Sequence, residues 1–324
     1  MFKEIIKEIC NELNIKYTIL SKDWIIKLEK DNKVRYLTGN KFDLNGHAIG
    51  NILDDKYAFY EILKNINIPV CLHRIIYHKN NNQSYAIGCN TEEYILNCFN
   101  EFHNDVVIKP NKGSMGIGVH HITNKDELID VTNNLLINNY SISICPYYHI
   151  KNEYRVIVLD NEIKLIYKKI NPIVIGDGKS TLKELLIKFN SSYYTDKDIP
   201  NIIPKKNEIY TYDFHFNLSK GSIATIYIDY DTKEKICQLA LEVSKKVGIT
   251  FASIDIIETT DNKLLVLEAN SGVTINKATN FIPNGYNVAK NIYKEAIIKM
   301  YSNEKLNFRW YVKIKFAREN GSFW

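Results

Sequence analysis

The chain has 324 residues, 45% hydrophobic and 24% charged, which is ordinary globular composition and enough length for two or three small units with real cores. Its formal charge of +5, from 42 basic against 37 acidic residues, is small and scattered, so it does not argue for nucleic acid, though it suits a phosphate-bearing ligand. The six cysteines, at positions 10, 71, 89, 98, 145 and 237, form no C-x-x-C pair and no zinc-type cluster, and no run reaches about 18 apolar residues, so reduced thiols, a cytoplasmic location and no membrane span are expected.

Ile5, Ile6, Ile9 and Leu13 fall at helical spacing over 2–13, and 24–37 alternates like a hairpin around Asp31-Asn32, a small α/β entry unit over 1–54. Asp54-Asp55 then caps a helix bearing Tyr57, Tyr60, Ile62 and Leu63 that ends at Ile68-Pro69 and opens a second unit, 55–145. KNNNQS (79–84) reads as a surface turn. From 105 the order is strand (DVVIK), glycine loop (113–118), strand (VHHI), helix (125–137) and strand (SISIC), a mixed α/β module. A linker is expected at 146–152. The third unit, 146–324, begins with a hairpin around Asp160-Asn161 and continues through helix, strand, helix and two strands to 269. In the tail, Trp310, Val312, Ile314 and Phe316 alternate as in a half-buried strand.

The chemistry gathers in four places. In TFASIDII (250–257) the two-residue period of a strand lifts Asp255 away from Ile254 and Ile256, and in LLVLEAN it sets Glu268 and Asn270 on one side. If those strands pair, three oxygen donors converge, the set that hard Mg²⁺ (or Mn²⁺) takes alongside waters and substrate phosphates; solvated residues on an open hairpin are the plainer alternative. Strand DVVIK ends in Lys109-Pro110, and NKGSMGIGV follows, where Gly113, Ser114, Gly116 and Gly118 let backbone N–H groups approach phosphate oxygens beside the lysine. The spacing and the following strand reject a dinucleotide fingerprint. IGDGKST (175–181) lacks the first glycine of a P-loop, since position 173 is Ile, and Thr181 or Ser180 is better read as a helix cap. Arg155 and, across the hairpin, Lys169 can grip a carboxylate or phosphate, or form rim ion pairs. NLSKGS (217–222) could face the acceptor. His120-His121 point to opposite faces of a strand and cannot share one ion, and Cys145 lacks a nearby His or Asp partner.

Taken in order, VVIKPNKGSMGIGV, NEYRVIVLDNEIKLIYKKINPIVIGDGKSTLKELL, ASIDII and LEANSG resemble the ATP-grasp superfamily, over about 54–300. The resemblance implies an α/β (α+β) fold of two α+β subdomains clamping ATP, preceded by the N-terminal α/β unit. It implies an ADP-forming ligase joining an amino-acid-like or peptide-like carboxylate to an amine through an acyl phosphate. Lys109 would bind ATP phosphates under the loop 113–118, Asp255, Glu268 and Asn270 would hold the metal, and Arg155 and Lys169 would face the transferred phosphoryl group. Lys169 stands where arginine is usual, and Lys56 resembles a lysine opening the central portion of the family. The hinge departs from the pattern: Cys145 stands where a glutamate is usual, which shifts adenine contact to the backbone between Ile144 and Tyr147. A carrier-protein thiol or a peptide terminus as acceptor, or an ATP-binding protein without turnover, are the alternatives.

Overall fold

The computed structural model describes residues 1–114 and 116–302; the tail strand expected at 310–316 lies outside the described residues. Helix α1 (Phe2–Glu12) buries Ile5, Ile6 and Ile9, the helical stripe read above. Strands β1 (Lys16–Leu20), β2 (Ile25–Lys30), β3 (Lys33–Thr38) and β4 (Lys41–Phe42) make an antiparallel meander, and α2 (His47–Leu53) leaves it. Asp31 and Asn32 both adopt positive φ, the left-handed pair that a two-residue hairpin turn requires; Asp160 and Asn161 repeat the device.

Helix α3 (Lys56–Asn65) starts where the Asp55 side chain accepts from Ala58 N at 2.9 Å. It stops at Asn65, short of Ile68, with Ile66 N–H closing on earlier carbonyls. Strands β5 (Arg74–Tyr77), β6 (Val106–Pro110), β7 (His120–Ile122) and β8 (Ser141–Pro146) form a second sheet in the order β5-β8-β6-β7, covered by α4 (Glu92–Glu101) and α5 (Lys125–Asn138). Strand β9 (Ile150–Leu159) begins inside the stretch expected as linker, which shrinks to a few residues because the sheet pairs Ile150 with Thr259.

The large sheet runs β13 (Ile223–Thr225), β10 (Glu162–Ile170), β9, β14 (Phe251–Thr259) and β15 (Leu264–Asn270), every pairing antiparallel. Between β10 and β13 the chain inserts β11 (Ile173–Ile175), α6 (Leu182–Phe189), α7 (Ser191–Tyr194) and β12 (Ile209–Thr211), with a small core of their own. One face of the large sheet is sealed by α8 (Tyr230–Val247) together with α3, around Val156, Ile254, Ile256 and Phe59. The other face divides. Ile157, Leu159 and Phe251 pack under α1, the N-terminal sheet and α9 (Gly285–Ser302), whereas the positions that continue this face, Arg155 and Asp255, floor an open cleft.

Candidate active site

Register places the polar residues in rows across that floor. Arg155 on β9 lies opposite Asp255 on β14, which lies opposite Glu268 on β15; one step towards the N-terminal unit, Ser253 lies opposite Asn270. On the other side of β9, Tyr167 faces Arg155 and Lys169 faces Glu153. Between Asp255 and Ile256 the register of β15 slips, so Leu267 is an extra residue and Val266, which simple alternation would put beside Glu268, enters the apolar layer instead.

A charged network results. Arg155 donates from Nε to Asp255 Oδ1 at 2.7 Å and from Nη2 to Oδ2 at 2.5 Å, a two-pronged grip that fixes the planar carboxylate. Lys169 Nζ stands 3.3 Å from Asp255 Oδ2 and is paired with Glu153 as well. Burial works against the Asp255 charge, but Arg155 and Lys169 outweigh it and hold the carboxyl down at about 2. Glu268 is likewise pulled below its usual range, burial being overcome by Lys56 and Lys109. Glu153 goes the other way: burial raises it more than Lys169 lowers it. Lys56, 3.7 Å from Glu268, is lowered by burial, with Lys109 repulsion adding to this and Glu268 opposing it.

The roof comes from the second sheet. Lys109, 7% exposed, pairs with Ser143, and Cys145 pairs with Val107, so Lys109, Val107 and Cys145 share the face over the cleft. The Cys145 thiol is buried, donates to Val107 O at 3.5 Å and is pushed up by burial, the opposite of an activated nucleophile. The entry to the glycine loop is anchored: Lys56 donates to Gly113 O at 2.8 Å, and Asn111, fully buried, donates to Asp55 Oδ1 at 2.8 Å. At Gly116, φ is +68° and a β-carbon would lie 2.9 Å from Asn217 Nδ2, so the loop touches the 212–222 segment. Gly118 shares the positive φ of +68°, and there a β-carbon would also press on Pro110 and Leu135. Tyr147 donates its N–H to Asp105 O and stacks on His121 at 3.8 Å; His121 is tied to Asp105, while His120 is exposed.

The cleft measures about 1010 Å³. Lys109, Gly113, Ser114, Gly116, Cys145, Tyr147, Arg155, Lys169, Asp255, Glu268 and Asn270 all line it; of the predicted residues Gly118 does not. Sequence reasoning missed Glu153 and Asn111 and left Lys56 without a role. Glu153 was visible only as the residue two before Arg155, on the same face. Seven Lys or Arg side chains line the cleft against three carboxylates, so its lining carries a positive excess. GDGKS takes no part: Asp177 accepts from Lys179 N and Ser180 N, and Thr181 forms a capping box with Glu184. Among the described residues no three His, Cys, Asp or Glu side chains gather as a metal cage, and no helix is long and apolar enough to cross a membrane.

Against known proteins, residues 206–296 match the family described as RimK-like ATP-grasp domain, a span that includes Asp255, Glu268 and Asn270 but not Lys109. Cyanophycin synthetase from Synechocystis sp. is 27% identical over 201 residues, 54% of this chain and 23% of that one. The glutathione biosynthesis bifunctional protein of Lactiplantibacillus plantarum is 26% identical over 167 residues, 51% of this chain and 21% of that one. The chain thus spans under a quarter of the length of these relatives. A crystal structure of D-alanine–D-alanine ligase from Bacillus anthracis superposes with a TM-score of 0.52 at 15% identity, covering 80% of this chain and 70% of that one. The protein is built on the ATP-grasp fold, and its residues 206–296 are similar to the RimK-like ATP-grasp domain.

Proposed function

We propose that the protein is an ATP- and magnesium-dependent ligase, which activates a small-molecule or peptide carboxylate as an acyl phosphate and passes it to an amine. The observation that supports this best is the row Arg155–Asp255–Glu268 lying in one cleft with Lys109, Gly113, Ser114 and Gly116. In this reading Lys109 and the N–H groups of the loop neutralise and orient the ATP phosphates, and the hinge backbone at Cys145 to Tyr147 meets the base. The substrate carboxylate attacks the γ-phosphorus, ADP leaves with the bonding pair, and Arg155 and Lys169 face the charge of the transferred group. The amine nitrogen then attacks the acyl carbon, phosphate departs, and the nitrogen loses a proton.

Asp255, Glu268 and Asn270 fit Mg²⁺ or Mn²⁺ by donor chemistry: all offer oxygen, and both carboxyls are held ionised by the lysines and arginine around them. The cation would supply neutralisation of phosphate oxygen charge. A cytoplasmic location suits the six free cysteines.

The test is release of ADP from ATP and Mg²⁺ in a screen crossing carboxylates with amines, with product mass spectrometry. Asp255→Ala and Glu268→Ala should each lower turnover at least ten- to hundredfold, about 1.5–3 kcal/mol for a lost charged partner and more where a cation is lost. Unchanged turnover in both would refute the metal assignment. Binding of ATP without ADP from any pair would favour a non-catalytic nucleotide-binding protein, and a thioester or extended-peptide product would assign the acceptor to a carrier thiol or a peptide terminus.

A further inference from the structure

The reaction proposed above leaves one proton without a destination. An amine that enters the cleft near neutral pH does so as an ammonium, which has no lone pair for the acyl carbon until a base removes a proton. The floor supplies no such base, because Asp255, Glu268 and Glu153 are paired with Arg155, Lys56 and Lys169. Two histidines line the cleft, and they differ. His149 is exposed, its ring set edge-on to Tyr147, whereas His215 has a carboxylate behind it.

His215 follows β12, on the segment that meets the glycine loop. Asp213 Oδ1 accepts from the His215 main-chain N–H at 2.9 Å and is paired with ring Nδ1 as well. Ser222 Oγ donates to His215 O at 3.1 Å, and Phe214 packs on His121 and Tyr147, with ring centroids 5.9 and 6.4 Å away, so the turn is held on both sides. Burial works against the Asp213 charge, but the hydrogen bonds from His215 outweigh it and keep the carboxyl below its usual range. An ionised acceptor at Nδ1 fixes the tautomer that carries its proton there and leaves the lone pair on Nε2. That side of the ring faces the loop: a β-carbon on Gly116 would lie 3.7 Å from Cδ2, the carbon next to Nε2. Lys220 Nζ stands 3.4 Å from Nε2, an ammonium against the lone pair; it and Asp213 are the charged groups on this ring among the described residues.

We propose that His215 is the general base that prepares the acceptor amine, with Asp213 as its positioning residue. Lys220 turns away as the substrate ammonium takes its place at Nε2. Nε2 removes one proton, the freed pair forms the bond to the acyl carbon, and the bond from that carbon to the phosphate oxygen breaks with its electrons. The leaving phosphate carries off the second nitrogen proton, and Nε2 returns the first to water. The proposal rests on the ligase reading, and hydroxylamine separates the two. It is unprotonated at neutral pH and attacks an acyl phosphate without help from a base, giving a hydroxamate. Parent and variants receive ATP, Mg²⁺ and pooled L-amino acids, with and without excess hydroxylamine, and amide, hydroxamate and ADP are measured. His215→Asn keeps an amide donor for Asp213 and removes the ring acceptor; amide formation should fall about 10²–10⁴-fold, while hydroxamate and its accompanying ADP stay within about threefold of the parent. Asp213→Asn should lower amide formation about tenfold, again with hydroxamate retained. Loss of amide and hydroxamate in equal measure would assign His215 to ATP binding or to packing and overturn the proposal, as would undiminished amide formation in His215→Asn. A parent that makes no hydroxamate from any acid would sink the ligase reading, and this base with it.

Discussion

Asp255 is 1% exposed yet ionised, because two cations share the cost of burying it. The sign of its pH effect follows directly. With the folded carboxyl near 2 and the free one near 3.8, the stabilisation is present above about pH 4 and is lost as pH falls towards 2, amounting to about 2 kcal/mol. Arg155→Met leaves that carboxylate with Lys169 alone, and should cost about 3–5 kcal/mol at pH 7. It should also move the acid loss upwards in pH. Urea unfolding followed from pH 7 to pH 3 reads both effects; a variant as stable as the parent at every pH would show that the pair contributes nothing. None of this pairing was spelled out by the residues alone, which placed Arg155 and Asp255 in separate motifs 100 positions apart.

The strands and turns at the element scale were largely legible, since each is a local pattern: the Asp-Asn hairpins, the apolar stripe of α1 and the alternation of β14 need no distant partner. The slip at Leu267 was not, because a bulge is set by how two strands pair, and alternation along β15 alone assigns Val266 to the wrong side. The glycine loop divides similarly. Its presence was readable, but that a β-carbon at Gly118 would press on Pro110 and Leu135 while one at Gly116 would meet the 212–222 segment depends on what the loop touches. Gly116→Ala therefore forces a methyl into the left-handed region and onto Asn217, about 1–2 kcal/mol of local strain. The expected outcome is weaker ATP binding, about tenfold by calorimetry, with a melting temperature lowered by a few degrees at most. Unaltered affinity would remove the loop from the nucleotide site.

At the scale of the whole molecule, the packing groups the units differently from their order in sequence. Helix α3, read as the start of the second unit, joins the core under β9 and β14 through Phe59 and Leu63, because its apolar stripe needs the sheet that α8 leaves partly bare. The N-terminal unit shares one apolar cluster with Ile157, Phe251 and Tyr293, and Asn45 fastens it further by accepting from Thr250 N at 2.9 Å and Phe251 N at 3.1 Å. Long-range grouping of this kind is a property of surfaces, and single-residue patterns carry no record of which surface meets which.

The face of the large sheet that is greasy under α1 and charged in the cleft has a practical corollary. Because Phe251, Ser253 and Asp255 are successive pegs on one side of one strand, stripping away residues 1–54 would wet the first peg and loosen the last. A shortened chain from 55 onward should be recovered mainly as aggregate, or as a monomer without cooperative melting, and adding residues 1–54 as a separate peptide should restore a sharp transition. Should the shortened chain melt cleanly by itself and still bind ATP, the reacting end of that strand would be self-supporting, and the N-terminal unit would be free to act as an exchangeable cover that chooses what is ligated.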